Sequence, residues 1–148
     1  MSLSKPLLAG VVAASALTAA CGETAAEKDA DRVEDQIELE ADRSAVAAGS
    51  EEAALGMTEA QLLEADLVTA DGTDLGDIAL VRRDDDGTVT GLVIELEDTD
   101  PDRWVEIPMD GLTTRADGND KDVQTAMTAA DLAALPDADM SGMDKATM

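Results

Sequence analysis

The sequence predicts an all-β domain of five or six short strands followed by a short C-terminal helix. Apolar side chains alternate with period two, as at Leu92, Ile94 and Leu96, and such runs recur about every ten residues. Asp-Gly dipeptides at 71–72 and 117–118 mark tight turns between these runs. The pattern suits a small barrel or sandwich, whereas an all-helical fold conflicts with the turns and the β-branched runs.

The composition restricts both the core and the chemistry. The 148 residues include 34 Asp and Glu against 10 Lys and Arg, a net charge of −24, with no His, Phe or Tyr, one Trp and one Cys. The core must therefore consist of Leu, Val, Ile and Met. Without His the chain lacks an imidazole base and the usual zinc ligands, so we expect no enzyme and no cofactor. Its acidity argues against a nucleic-acid partner.

The strands can be assigned in chain order after a helix-forming stretch at 57–63. The predicted strands lie at 66–70, 75–83, 89–96, 103–109, 112–115 and 121–126. In the fourth, Trp104 faces away from Val105 and Ile107, because successive side chains alternate between the two faces of a strand. The final helix begins after Thr128, and Asp131 occupies the position of a capping-box acid.

The first 20 residues have the form of an export signal. Lys5 precedes an uncharged run of 15 residues, Pro6 to Ala20, which is shorter than the roughly 20 residues that span a bilayer. The end of this run, Leu17 to Cys21, resembles the lipobox of bacterial lipoproteins, which implies that Cys21 is acylated and becomes the first mature residue. Gly22, where an inner-membrane retention signal has Asp, favours the outer membrane and a domain that faces the periplasm.

Residues 21–56 are predicted to be an acidic tether. Between Glu23 and Glu52, 11 acidic residues stand against three basic ones. Val33, Ile37 and Ala41 follow helical spacing, but the stripe is thin, so we expect a disordered or weakly helical spacer that lifts the domain from the membrane. The domain itself is predicted at 57–137, and 138–148 as a flexible tail.

The order of these features resembles a PRC-barrel domain, the module shared by the reaction-centre H subunit of photosynthetic bacteria and a maturation factor of the small ribosomal subunit. The segments that carry the resemblance are 67–78, 86–94, 104–109 and 123–136. The resemblance implies a small closed β-barrel that serves as a docking or assembly module without catalytic residues. A loop that many members carry between the third and fourth strands is replaced here by Glu97 to Asp102.

These observations predict a lipid-anchored envelope protein that binds an unidentified protein partner through exposed strand edges or the region of Trp104. A dedicated metal site is not expected. Asp98 to Asp102 has Asp at alternate positions, as in an EF-hand loop, but Arg103 follows where glycine is required. A second interpretation is an acidic envelope protein that loosely binds or buffers Ca²⁺ or Mg²⁺.

Overall fold

The computed structural model describes residues 24–141 and has a mostly β architecture with three helices in that range. The predicted signal peptide, Cys21 and the end of the predicted tail lie outside the described residues. The elements are α1 (Ala25–Ala48), β1 (Glu52–Ala54), β2 (Met57–Thr58), α2 (Glu59–Leu63), β3 (Asp66–Val68), β4 (Asp74–Arg83), β5 (Val89–Leu96), β6 (Trp104–Pro108), β7 (Thr113–Asp117), β8 (Asp120–Gln124) and α3 (Ala129–Ala133). The β-rich class, the six main strands and the short C-terminal helix are therefore confirmed.

Six strands form one curled sheet in the order β6-β5-β4-β3-β8-β7, and β1 pairs with β2 in a separate two-stranded sheet. Only β3 and β8 are parallel neighbours. The edge strands β6 and β7 are consecutive in the chain, and the five steps from Pro108 to Thr113 span at most about 18 Å. The edges of a flat six-stranded sheet would lie about 24 Å apart, so the sheet must curl. Within residues 24–141 the two edges do not pair, so closure into a barrel is not shown.

The concave side of the sheet holds the main core. Leu92, Ile94, Val105 and Ile107 are fully buried there, as their alternation predicts. α3 contributes Leu132, which is also fully buried. The core is aliphatic throughout, in agreement with the composition.

A β-bulge in β4 creates a second apolar cluster on the other side of the sheet. Ile78 pairs with Ile94 and Leu80 pairs with Val93, so Ala79 is an extra residue on this strand. Ile78 consequently joins the main core, while Leu80 lies with Val93 and Trp104 on the outer face.

α1 covers this outer face. The docked helix differs from the disordered or weakly helical tether that the sequence predicts for this part of the chain. The helix has 24 residues, and a capping box between Thr24 and Glu27 fixes its start. Ile37 and Ala41 are buried against Leu80 and the other residues of the outer cluster. The thin apolar stripe of α1 docks because the bulge in β4 supplies an apolar surface for it, and most helix stability in proteins comes from such packing. None of the helices within residues 24–141 has the length and apolar character to cross a membrane.

The segment after α3 also packs onto the outer face. The Ala138 backbone N–H donates to the Trp104 carbonyl at 2.8 Å, and Arg82 Nη2 donates to the Asp139 carbonyl at 2.6 Å. Met140 contacts the outer cluster. The predicted flexible tail is thus attached to the domain as far as the structure describes it.

Candidate functional site

Trp104, the residue predicted to form a partner surface, is buried. Its exposed fraction is 7%, because α1 and the segment after α3 cover its side of the sheet. Trp104 faces away from Val105 and Ile107 as predicted, but that face is occupied by the chain itself. The indole is therefore not an exposed docking residue in this arrangement.

The indole instead positions a carboxylate. Trp104 Nε1 donates a hydrogen bond to Glu95 Oε2 at 3.3 Å. Burial raises the pKa of Glu95, the hydrogen bond from Trp104 opposes this effect, and the nearby carboxylate of Glu34 adds to the rise. Glu95 thus lies half-buried at the edge of an acidic region, with one oxygen fixed by the only tryptophan.

A groove runs between α1, α2 and the outer face of β4 and β5. Its volume is about 470 Å³. The floor is apolar and includes Ile37, Ala41, Leu63 and Ala79. We call this feature the acidic groove, because six carboxylates form its rim: Glu34, Glu38, Asp42, Glu64, Asp77 and Glu95.

One wall of the acidic groove is a regular row of carboxylates on α1. Glu34, Glu38 and Asp42 are four residues apart, which places successive side chains about 6 Å apart along the helix. Burial raises the pKa of Glu34, and the carboxylates of Asp102 and Glu38 raise it further. No Lys or Arg of the described chain lines the groove, so these charges lack a local counter-charge.

A second group of carboxylates adjoins the groove at Asp77. Burial raises the pKa of Asp66 to about 6, and Asp74, Asp77 and Asp122 add to the rise. Burial also raises the pKa of Asp122. Asp66 and Asp77 are directly paired on β3 and β4, so their charges repel at close range. The negative potential therefore extends from the groove along the sheet.

A second cavity, of about 540 Å³, lies on the far side of Trp104. Arg103 and Asp137 line it and form an ion pair with Nη2 and Oδ1 2.7 Å apart. Unlike the acidic groove, this cavity contains a basic side chain, although Asp100 and Asp102 also line it.

The carboxylates do not converge as metal ligands do. Within residues 24–141, no three His, Cys, Asp or Glu side chains are arranged to hold a metal ion. The acids of the groove are instead distributed along its two sides. Such an arrangement can attract an extended positive ligand at several points.

Comparison with protein-family models gives no match for this chain, and comparison with curated proteins gives none either.

The sequence did not predict the groove as a site. Glu34, Glu38 and Asp42 adjoin the predicted apolar stripe of Ile37 and Ala41, but the opposite wall of the groove comes from α2, β4 and β5. The four-residue spacing of these acids is the one signal that the sequence contains.

Proposed function

We propose that this protein is a non-catalytic binding or scaffolding module of the bacterial cell envelope. The acidic groove is the observation that carries the proposal. It is built by α1, α2 and two strands of the sheet, and it combines an apolar floor with acidic groups at its rim. Concave sites with this combination are where proteins bind ligands and partner segments.

The proposal includes a domain of the PRC-barrel type. Its support is the order of the strands and the curl of the sheet, which brings the ends of β6 and β7 within a four-residue connection. Gly76 also supports it, because an added Cβ there would lie 2.0 Å from the Glu95 carbonyl oxygen. Such a close approach of β4 to β5 favours strong curvature of the sheet.

The proposal also includes a lipid anchor on Cys21 in the membrane that faces the periplasm, with the outer membrane preferred to the inner. Two residues, Gly22 and Glu23, separate Cys21 from Thr24, the N-cap of α1, so the three steps between them span at most about 11 Å. Because α1 packs on the sheet, the domain would sit directly at the membrane surface rather than on a long spacer. Its acidic groove would then face a partner that lies close to the same membrane.

A photo-cross-linking experiment tests the binding role in cells. A benzoylphenylalanine at position 45 lies in the acidic groove, whereas one at position 47 of the same helix is exposed outside it. We expect a discrete cross-linked product from position 45 that is absent from position 47. Equal patterns from the two positions, with unchanged thermal melting of both variants, would contradict a binding role for the groove.

A second candidate function is loose binding of Ca²⁺ or Mg²⁺, which the group of Asp66, Asp74, Asp77 and Asp122 favours. Calorimetry with Ca²⁺ distinguishes the two roles. Saturable heat at micromolar Ca²⁺ would support cation binding as the main role. A weak signal that disappears in about 0.15 M salt reflects only the general acidity of the chain.

A further inference from the structure

The negative charge of the acidic groove is not balanced by basic residues of the described chain. The three basic residues of α1 are Lys28, Arg32 and Arg43, and none of them lines the groove. Arg32 instead pairs with Asp29 on the exposed side of the helix, with Nη2 and Oδ1 2.7 Å apart. A basic ligand would therefore supply the groove with counter-charges that its lining residues do not provide.

The spacing of the carboxylates indicates the form of that ligand. Glu34, Glu38 and Asp42 extend over about 12 Å along α1. Glu64, Asp77 and Glu95 lie on the opposite side. A single metal ion would require carboxylates that meet at one point, which these do not. Lys or Arg side chains four residues apart on a helix have the same spacing of about 6 Å.

The apolar floor of the groove indicates that its ligand also has an apolar surface. Ala45 from α1, Leu63 from α2 and Ala79 from β4 are partly exposed and supply apolar surface among the acids. A ligand that carries charge alone would leave this floor exposed to water. An amphipathic helix buries an apolar stripe in such a groove and places its basic residues at the rim.

We propose that the acidic groove binds a basic amphipathic helical segment of a partner protein. This inference rests on the proposed binding role and specifies the chemistry of the partner. Apolar side chains of the segment contact Ala45 and Leu63, and its Lys or Arg side chains pair with the carboxylates on both sides. When the segment binds, Glu34 and Glu95, which are already partly buried, lose further contact with water, and ion pairs with its basic side chains compensate for this loss.

Titration with a model peptide tests the inference on the purified mature domain. The probe is a 14-residue helix of Leu and Lys with one apolar face, and the comparison peptide has the same composition in scrambled order. Trp104 is the only tryptophan and bonds to Glu95, so its fluorescence reports binding beside the groove. We expect saturable binding of the amphipathic peptide and binding at least about tenfold weaker for the scrambled one, and equal affinities would overturn the proposal.

Two charge-matched variants locate the binding. The double variant Glu34→Gln/Glu38→Gln removes two rim charges, and Asp31→Asn/Asp35→Asn removes two charges of the same helix outside the groove. We expect about tenfold weaker binding for the first and less than about twofold for the second. Equal weakening by both would show attraction to the whole acidic surface and overturn the proposal. If the peptide does not bind while the cross-link from position 45 forms in cells, this inference fails and the proposed binding role stands.

Discussion

Glu59 and Arg83 form an ion pair at the boundary of the main core, with Glu59 Oε2 and Arg83 Nη2 2.6 Å apart. The Glu59 side chain is 1% exposed and that of Arg83 is 28% exposed. Glu59 is the first residue of α2, so the pair fixes this helix to the end of β4. Glu59 Oε1 has no hydrogen-bond partner among the described residues, so the carboxylate depends on Arg83.

Replacement of Arg83 is therefore expected to destabilise the domain. Arg83→Ala leaves the Glu59 carboxylate buried without its partner, and we expect a loss of about 2–3 kcal/mol in the free energy of unfolding. Urea denaturation measures the loss. In a Glu59→Gln background the same substitution should cost at least about 1 kcal/mol less, because no buried charge remains. Strictly additive losses would refute a direct coupling between the two residues.

Gly76 lies where the sheet allows no side chain. Its φ is +147°, and an added Cβ would lie 2.0 Å from the Glu95 carbonyl oxygen. We expect Gly76→Ala to cost about 3 kcal/mol or more, because β4 and β5 must separate. Gly118→Ala is the control: φ is +57° there and the space is open, so we expect a loss of about 1 kcal/mol. Similar thermal melting of the two variants would disprove the close approach.

The docking of α1 can be followed through Trp104. Ile37→Asp introduces a charge into the outer cluster, where Ile37 is 3% exposed. We expect a red shift of Trp104 emission and a loss of about 3 kcal/mol as α1 detaches. Leu39→Asp, on the same helix at a position that is 51% exposed, should change stability by less than about 0.5 kcal/mol. If Ile37→Asp leaves the emission unchanged, α1 does not cover the indole in solution.

Asp66 is expected to make the domain less stable as pH rises. Its pKa is about 6 in the folded chain against an ordinary value of 3.8. Stability is therefore highest below pH 3.8 for this group, falls between pH 3.8 and 6, and stays reduced above pH 6. Asp66→Asn should raise the free energy of unfolding by about 1 kcal/mol at pH 7.5, a value discounted for screening by water, and leave it unchanged near pH 4. Urea titrations at the two pH values test this, and a gain of equal size at both would contradict it. Asp85→Asn, in an exposed turn, is the matched control.

Acylation of Cys21 is testable in a bacterial host. We expect the wild-type protein to incorporate a clickable palmitate analogue and to sediment with membranes, and Cys21→Ser to do neither, because acyl chains supply the membrane affinity. Gly22→Asp should retain the label but move the protein toward the inner-membrane fraction. Normal processing and membrane sedimentation of Cys21→Ser would refute the lipid anchor.

Features that depend on neighbours in the sequence were predictable. The capping box at Thr128 is present, with the Asp131 N–H donating to Thr128 Oγ1 at 3.2 Å. Leu92, Ile94 and Leu96 share the core face because alternation within one strand is a local property. The turns at the Asp-Gly dipeptides follow for the same reason, since Gly72 and Gly118 adopt positive φ.

The acidic groove was not predictable, because it depends on a register shift between two strands. Without the extra residue at Ala79, Leu80 would point into the main core. The outer face of the sheet would then lack the apolar surface on which α1 packs. The apolar stripe of Ile37 and Ala41 is too short to predict by itself that the helix packs on the domain. The prediction that Trp104 lies on the face opposite Val105 is correct, but the residues that cover it are more than 30 positions away in the sequence, so the local pattern does not show them.

The packing around Trp104 joins the two ends of the described chain. Val33 from α1 and Ala138 from the last segment contact the same outer cluster, although they are more than 100 residues apart. Neither segment can leave without exposing part of the indole that supports the other. We therefore expect the N-terminal helix and the C-terminal segment to open together, separately from the main core on the concave side of the sheet.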